Sequence, residues 1–446
     1  MSSTVDSKNP DSIAAQVQAT RRAARELARL SADQRNQILL AAADGLEARE
    51  AEILKANRED CESLERKERE LAAGTASAAL LKRLRTSAAG IRDMAKQVRD
   101  VAHLEDPLGR VLATTELDDG LTLQKVSCAL GVVAVIFESR PDVVPQVGSL
   151  AIKTGNGLVL KGGAEAHQTN RVLVSIWHEA LANVSPSLRP VICALTDRAD
   201  VARILEMDRD IDLVVPRGST EFVNYVFEHS RIPVLGHGSG ICHIYVDSAA
   251  DLKMARDVIV DAKVQYPAAC NSVEKVLVHQ AIAETFLPAL VAALQSAGVE
   301  VRGCSRTTQV LPHSQTTPAT EEDWHTEYGD LKITVKVVND INEAIEHISH
   351  YGSRHTESIL TQDERAAELF MEEVDAASVF HNASTRFADG FRYGLGAELG
   401  ISNSKLHARG PVGLEGLLTY KYKLHGAGQT VTDYAQGKRT FKHRRR

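Results

Sequence analysis

Gly131-Val-Val-Ala-Val-Ile-Phe137 is followed at once by Glu138-Ser-Arg-Pro-Asp142. The first stretch is apolar without polar alternation, the pattern of a strand buried on both faces. A helical pattern over residues 142–153 follows it, then a second apolar run, Gly157-Leu-Val-Leu-Lys161, and a helix over 164–181. Residues 191–195, 212–215 and 232–235 continue as strands with helical segments between them. Short apolar runs alternating with amphipathic helices predict an α/β chain with a parallel, doubly wound sheet. Gly218-Ser219-Thr220 lies between a strand and a helix. It reads as a plain turn or as a phosphate seat, because helix N-termini offer free N–H groups to anions.

A second alternation begins downstream. Strands are expected at 241–246, 273–279, 332–338, 357–360 and 377–380, with helices at 250–263, 281–297, 341–351 and 363–374. The polar stretch 303–328 reads as a long loop. Between the helix at 250–263 and the strand at 273–279 stands the turn Tyr266-Pro-Ala-Ala-Cys-Asn271. A thiol in such a turn is presented with backbone N–H groups around it, which makes Cys270 the candidate nucleophile.

Upstream, the first hundred residues are rich in Ala, Leu, Glu, Arg and Lys and predict packing helices. Ser31-Ala-Asp-Gln34 is a capping box. The turn Asp118-Asp-Gly120 separates strand-like residues 111–117 and 121–126, a hairpin signal. An isolated hairpin is marginally stable, so pairing with a partner subunit's sheet would give it a use. Residues 381–416 are irregular and Gly-rich, 417–424 regain strand character, and 437–446 form a basic tail read as a solvated end.

A chain of 446 residues exceeds one compact core and calls for two or three domains. The net charge of −7 is diffuse and gives no reason to expect nucleic-acid or membrane partners. No run of about 18 apolar residues is present, and the polar N-terminus lacks a secretory apolar region. None of the cysteines 61, 128, 193, 242, 270 and 304 forms a Cys-x-x-Cys pair. That pattern fits reduced cytoplasmic thiols and no metal site, with Cys128, Cys193 and Cys242 expected as small buried hydrophobes.

Seven segments, in order, resemble the aldehyde dehydrogenase superfamily: Phe137-Glu-Ser-Arg-Pro-Asp142, Leu160-Lys-Gly-Gly163, Val215-Pro-Arg-Gly218, Pro233-Val-Leu-Gly-His-Gly238, the Cys270 turn, His381-Asn-Ala-Ser-Thr-Arg-Phe387 and Arg409-Gly-Pro-Val-Gly-Leu-Glu-Gly416. Within it they resemble the branch that reduces L-glutamyl 5-phosphate with NADPH in proline synthesis. The resemblance implies a Rossmann-like NADP-binding domain (12–105 and 130–240) and an α/β catalytic domain with Cys270 (241–411). It also implies a small β oligomerisation element (106–129 and 412–430) between flexible tails (1–11 and 431–446). A homo-oligomer follows, and a separate glutamate 5-kinase would supply the acyl phosphate.

The same resemblance assigns roles. Cys270 would form a thioester, with its own N–H and Ser139 serving the oxyanion. Lys161 would meet the adenosine ribose, Gly218, Ser219 and Thr220 the pyrophosphate, and Glu327 the nicotinamide ribose. Glu138, Arg140, Asn271 and Arg386 would contact the substrate, although each reads equally as structural. Three departures matter. Oxidising members carry a Glu near the position of Val234 that activates water, and here it is missing, which favours a reductase over the oxidising alternative. His237 beside it is expected to be structural or to contact phosphate. The ribose-binding acid of NAD-preferring members falls on Ala164, leaving room for a 2′-phosphate, with Glu165 one residue away. Val223 replaces the second Gly near the pyrophosphate. A catalytically silent scaffold for the kinase is the alternative from another class.

Overall fold

The computed structural model describes residues 12–71, 76–197, 199–236, 238–311 and 316–445. The chain divides into two compact units. One comprises Met1–Leu235, Leu395–Leu399 and Val412–Arg446, the other Gly236–Gly394 and Gly400–Pro411.

The first unit is built on a four-stranded parallel sheet in the order Ile192–Leu195, Gly157–Gly162, Val132–Phe137, Leu213–Arg217. All six residues of Val132–Phe137 are buried, as the unbroken apolar run requires. The strand is started by Asp212, whose carboxylate accepts the Val132 N–H at 2.8 Å and pairs with Arg21 at 2.8 Å. Helices Ile13–Leu27, Ala32–Ala48, Glu50–Leu71 and Ala88–His103 pack nearby. The Ser31–Gln34 capping box forms as expected. Asp60 caps the N-terminus of helix His167–Val184, accepting the Gln168 and Thr169 N–H groups at 3.1 and 2.8 Å. Residues 232–235 are not a strand: they make one bridge, Val214 to Val234. Pro233 has no N–H to donate, so a ladder cannot continue there.

The hairpin Val111–Asp118 and Leu121–Ala129 forms, and strand Leu418–His425 extends it from Leu418 opposite Ala129 to His425 opposite Thr122. The described part of the basic tail is exposed and lies along the hairpin. The acidic turn at Asp118 and Asp119 attracts it. Asp118 accepts the Tyr434 hydroxyl at 3.0 Å and pairs with Arg439 at 3.4 Å, and Lys442 pairs with Asp119. Residues Arg444–Arg445 then pair with the outer hairpin strand. Strand Leu418–His425 is exposed over every residue except Leu418, leaving Tyr420, Tyr422 and Leu424 uncovered.

The second unit is a seven-stranded parallel sheet in the order Thr317–Pro318, Glu300–Gly303, Lys332–Val338, Val273–His279, Cys242–Val246, Thr356–Leu360, Ser378–His381. Alternation within these strands splits their side chains between two cores. Ile244, Val276, Val278 and Val335 face helices Leu252–Val264 and Gln280–Ser296. Tyr245, Leu277, Val338 and Ile359 face helices Ile341–Tyr351 and Glu364–Glu373. The expected loop at 303–328 holds structure instead: helices Ser305–Val310 and Glu321–His325 and the edge strand Thr317–Pro318. These elements are too short to show a periodicity, and a Thr320–Asp323 capping box starts the second helix. Among the described residues no helix is long and apolar enough to cross a membrane.

Candidate active site around Cys270

The Cys270 turn joins the end of helix Leu252–Val264 to the central strand Val273–His279. It is tied down on both sides. The Ser272 hydroxyl donates to the Ala262 carbonyl at 3.2 Å, and the Asn271 side chain donates to the Ala388 carbonyl at 2.7 Å. Within the turn, Ala269 N–H donates to Tyr266 and Ser272 N–H to Ala269. Neither the Cys270 N–H nor its thiol has a hydrogen-bond partner among the described residues, and the residue is half-buried. A thiol and an open amide on one residue suit attack on a carbonyl and stabilisation of the resulting oxyanion.

Two neighbours brace this backbone from behind. The Cys242 thiol donates to the Cys270 carbonyl at 3.2 Å. Cys242 is fully buried, and burial, with the charges of Glu357 and Cys270 adding, raises its pKa well above the ordinary thiol range. It therefore stays protonated and remains a donor. Gly240 approaches so closely that a Cβ built on it would lie 2.7 Å from the Cys270 carbonyl carbon. Its N–H donates to Glu327 at 2.8 Å, which brings that predicted residue to the same corner. The Glu327 loop is pinned in turn. Lys275 donates to the Thr326 carbonyl at 2.7 Å, Gly329 N–H to Glu274 at 3.3 Å, and the Tyr328 hydroxyl to Asp323 at 2.6 Å.

Beneath the turn lies a buried ion pair, Lys263 and Glu274, 3.1 Å apart with side chains 0% and 1% exposed. Burial pushes the Glu274 carboxyl up and the Lys263 amine down, each opposed by its partner. Lys263→Met is expected to cost about 3–5 kcal/mol in denaturant unfolding, since it strands a buried carboxylate. A Lys263→Met/Glu274→Leu double variant should recover most of that loss; a single variant as stable as the parent would show the pair to be idle. On the neighbouring strands Cys242–Val246 and Thr356–Leu360, Glu357 accepts the His243 N–H at 2.6 Å and meets its ring Nδ1 at 3.0 Å. Burial raises the carboxyl and, with the Lys275 charge, pushes His243 down to about 3.

Arg386 also reaches this turn. It is buried in the short helix Thr385–Phe387, its Nε donates to Gln265 at 2.8 Å, and its guanidinium lies 5.8 Å from the centre of the Tyr266 ring. Burial, reinforced by Arg392, lowers its pKa, while the Cys270 charge acts in the opposite direction. An anion beside it would relieve that penalty. Asn271 is 3% exposed and anchors the loop through its amide nitrogen, which donates to the Ala388 carbonyl, while its Oδ1 has no hydrogen-bond partner among the described residues.

Glu138, Ser139, Arg140, Lys161, Gly218, Ser219 and Thr220 belong to the first unit. Lys161 is the penultimate residue of strand Gly157–Gly162, with Nζ donating to the Gly162 carbonyl at 2.6 Å. Gly218 and Ser219 are exposed, Ser219 caps helix Thr220–His229 through the Phe222 N–H, and Thr220 is that helix's first residue. Exposed Glu138 lies over Gly218: a Cβ there would be 3.0 Å from its carboxylate. Arg140 is half-buried, and its carbonyl accepts the Val143 N–H. Ser139 is 1% exposed, and both its N–H and its hydroxyl donate to Glu165 at 2.7 Å. Ala164 is exposed, whereas Glu165 is turned onto Ser139, which suits a cofactor with a 2′-phosphate. His237 lies outside the described residues.

Gly240, Cys242, His243 and Glu357 were not singled out by the sequence as site residues. Cys242 carries the one usable sign, a thiol at the start of a predicted strand.

The family model for the aldehyde dehydrogenase family matches residues 1–317. Among curated proteins, the gamma-glutamyl phosphate reductase of Cyanothece sp. is 54% identical over 428 residues, covering 95% of this chain and 96% of that one. The protein of the same name from Acaryochloris marina is 52% identical over 430 residues, covering 96% and 97%. Among solved structures, gamma-glutamyl phosphate reductase from Thermotoga maritima superposes with a TM-score of 0.88 at 41% identity, covering 93% of this chain and 98% of that one.

Proposed function

Because the chain belongs to the aldehyde dehydrogenase family and, within it, to the gamma-glutamyl phosphate reductases, we propose that it reduces L-glutamyl 5-phosphate to L-glutamate 5-semialdehyde and phosphate, the second step of proline synthesis from glutamate. The observation that carries the mechanism is the Cys270 turn, with an open N–H and a thiol free of partners on a backbone braced by Gly240 and Cys242.

The Cys270 thiolate attacks the acyl carbon, the C–S bond forms, and the C–O bond to phosphate breaks. The Cys270 N–H holds the oxyanion, an interaction whose loss typically costs about 3–4 kcal/mol of barrier. Arg386, a buried cation beside the Cys270 turn, receives the departing phosphate or the substrate carboxylate. When bound, NADPH supplies the hydride that reduces the acyl carbon. Collapse of the reduced adduct breaks the C–S bond, releases the aldehyde and returns the thiolate. Lys161, Gly218, Ser219 and Thr220 would hold the cofactor, and Glu327 its nicotinamide ribose. Glu138 and Arg140 stand as candidates for the substrate's ammonium and carboxylate. No carboxylate stands at Val234 to activate water on the thioester, so reduction wins over hydrolysis.

A cytoplasmic setting suits these free thiols. The exposed strand Leu418–His425 suits pairing of a second copy in a homo-oligomer. A glutamate 5-kinase supplies the acyl phosphate, since its mixed anhydride is too reactive to accumulate.

The test runs the reaction backwards. Purified protein with NADP, inorganic phosphate and the cyclised semialdehyde is expected to form NADPH in proportion to phosphate at low phosphate, and much faster than with NAD. Turnover without phosphate would point to the oxidising alternative, and no turnover to the silent scaffold.

A further inference from the structure

The parallel pairing of Val132–Phe137 with Gly157–Gly162 sets Phe137 opposite Gly162. The segments leaving these two strands therefore run side by side at the carboxyl edge of the sheet, the edge at which open α/β sheets bind their ligands. One segment carries Ser139 and the other Glu165. Ser139 N and Oγ each stand 2.7 Å from the same oxygen, Glu165 Oε1. Holding that grip, Ser139 sits at φ 40° and is 1% exposed. Positive φ is disfavoured for any residue with a Cβ, and such conformations persist only where the surroundings impose them. On its other side the Glu165 carboxylate rests on Gly163, where any side chain would overlap it. Ala164, the residue between, is exposed.

The carboxylate is thus gripped by a hydroxyl and an amide and covers a glycine. An acidic side chain just past the second strand is the group that takes the ribose hydroxyls of NAD, and its charge repels a 2′-phosphate. Glu165 stands within one turn of that strand end and is kept from using its charge there.

We propose that Ser139 is a specificity-determining positioning residue: by holding Glu165 against Gly163 it withdraws that carboxylate from the adenosine ribose and so admits NADP(H). The inference rests on the NADP(H) reading above. In this role Ser139 acts through Glu165.

The test compares kcat/KM for NADPH and NADH, and the dissociation constants of NADP and NAD, in five proteins. These are the parent, Ser139→Ala, Ser139→Gly, Glu165→Gln and Ser139→Ala/Glu165→Gln. Ser139→Gly is compatible with the positive φ and covers the case in which the alanine variant does not fold. Loss of the hydroxyl is expected to shift the NADPH-to-NADH ratio about fivefold or more toward NADH, mainly through KM, because a freed charge disfavours the 2′-phosphate. The double variant is expected to return to the parent ratio, since the freed side chain is then neutral. A ratio unchanged by both Ser139 variants, or shifted equally in the double variant, would overturn the proposal. A parent enzyme that prefers NADH would overturn the NADP(H) reading itself, a result distinct from an unchanged ratio.

Discussion

Cys270→Ala is expected to lower turnover about 10⁴-fold or more while leaving the unfolding midpoint nearly unchanged. The two halves of that expectation come from different observations. The thiol makes no hydrogen bond among the described residues and the side chain is only half-buried, so its removal leaves no cavity and no orphaned partner. The turn's shape is held by other groups: Ser272 on Ala262, Asn271 on Ala388, and Cys242 on the Cys270 carbonyl. Chemistry, in contrast, has no substitute at this position. Cys242 is the nearest other thiol named in the geometry, but it is fully buried and held protonated by burial, so it cannot take over. Cys270→Ser should fall nearly as far, because an alkoxide is far harder to form than a thiolate at neutral pH. Initial rates in the phosphate-dependent reverse assay, paired with a thermal melt, check both halves. A folded alanine variant that retained more than about a hundredth of parental turnover would remove the thioester from the mechanism.

What the sequence could reveal follows from the range of the interactions involved. The buried strands Val132–Phe137 and Val273–His279 are legible because burial on both faces demands an unbroken apolar run, a property of consecutive residues. The Cys270 turn is legible for the same reason, since Pro and Ala between a helix and a strand leave the thiol conspicuous. Glu300–Gly303 and the two-residue edge strand beside it are too short to carry a pattern, so the region merges with a polar loop. The tail's place along the hairpin depends on an acidic turn more than 300 residues away, which no local pattern encodes. The Ser139 contact with Glu165 is hidden for the same reason. Its partner Glu165 is 26 positions on, and only strand register brings the two together.

Gly240 was legible as neither turn nor strand residue, yet its replacement carries the second large expected effect. A Cβ at this position would stand 2.7 Å from the Cys270 carbonyl carbon and 2.8 Å from its Cα, and closer still to the oxygen. These are backbone atoms, so no rotamer change can make room, and one of the two chain segments must move. The Cys270 segment is fastened at three points, and the Gly240 N–H is fastened to Glu327, whose loop is held by Lys275, Glu274 and Asp323. Gly240→Ala is therefore expected to displace the Cys270 carbonyl, breaking the Cys242 contact, or to lift residue 240 and release Glu327. Either movement shifts the proposed nucleophile, or the residue proposed to meet the nicotinamide ribose, by a sizeable fraction of an ångström. Misplacement on that scale costs about 10²-fold in rate, and overpacking of this kind costs about 1–3 kcal/mol in stability. Rate and stability should be measured together, the first by kcat in the reverse assay and the second by urea titration. A variant that loses stability but keeps its kcat would show that the site relaxes around the methyl group and that this close approach serves packing alone. Loss of kcat well beyond what the change in folded population explains would show that Gly240 is selected for where it lets Cys270 sit. The geometry favours the second outcome, because the atoms that a side chain would strike are those that carry the nucleophile.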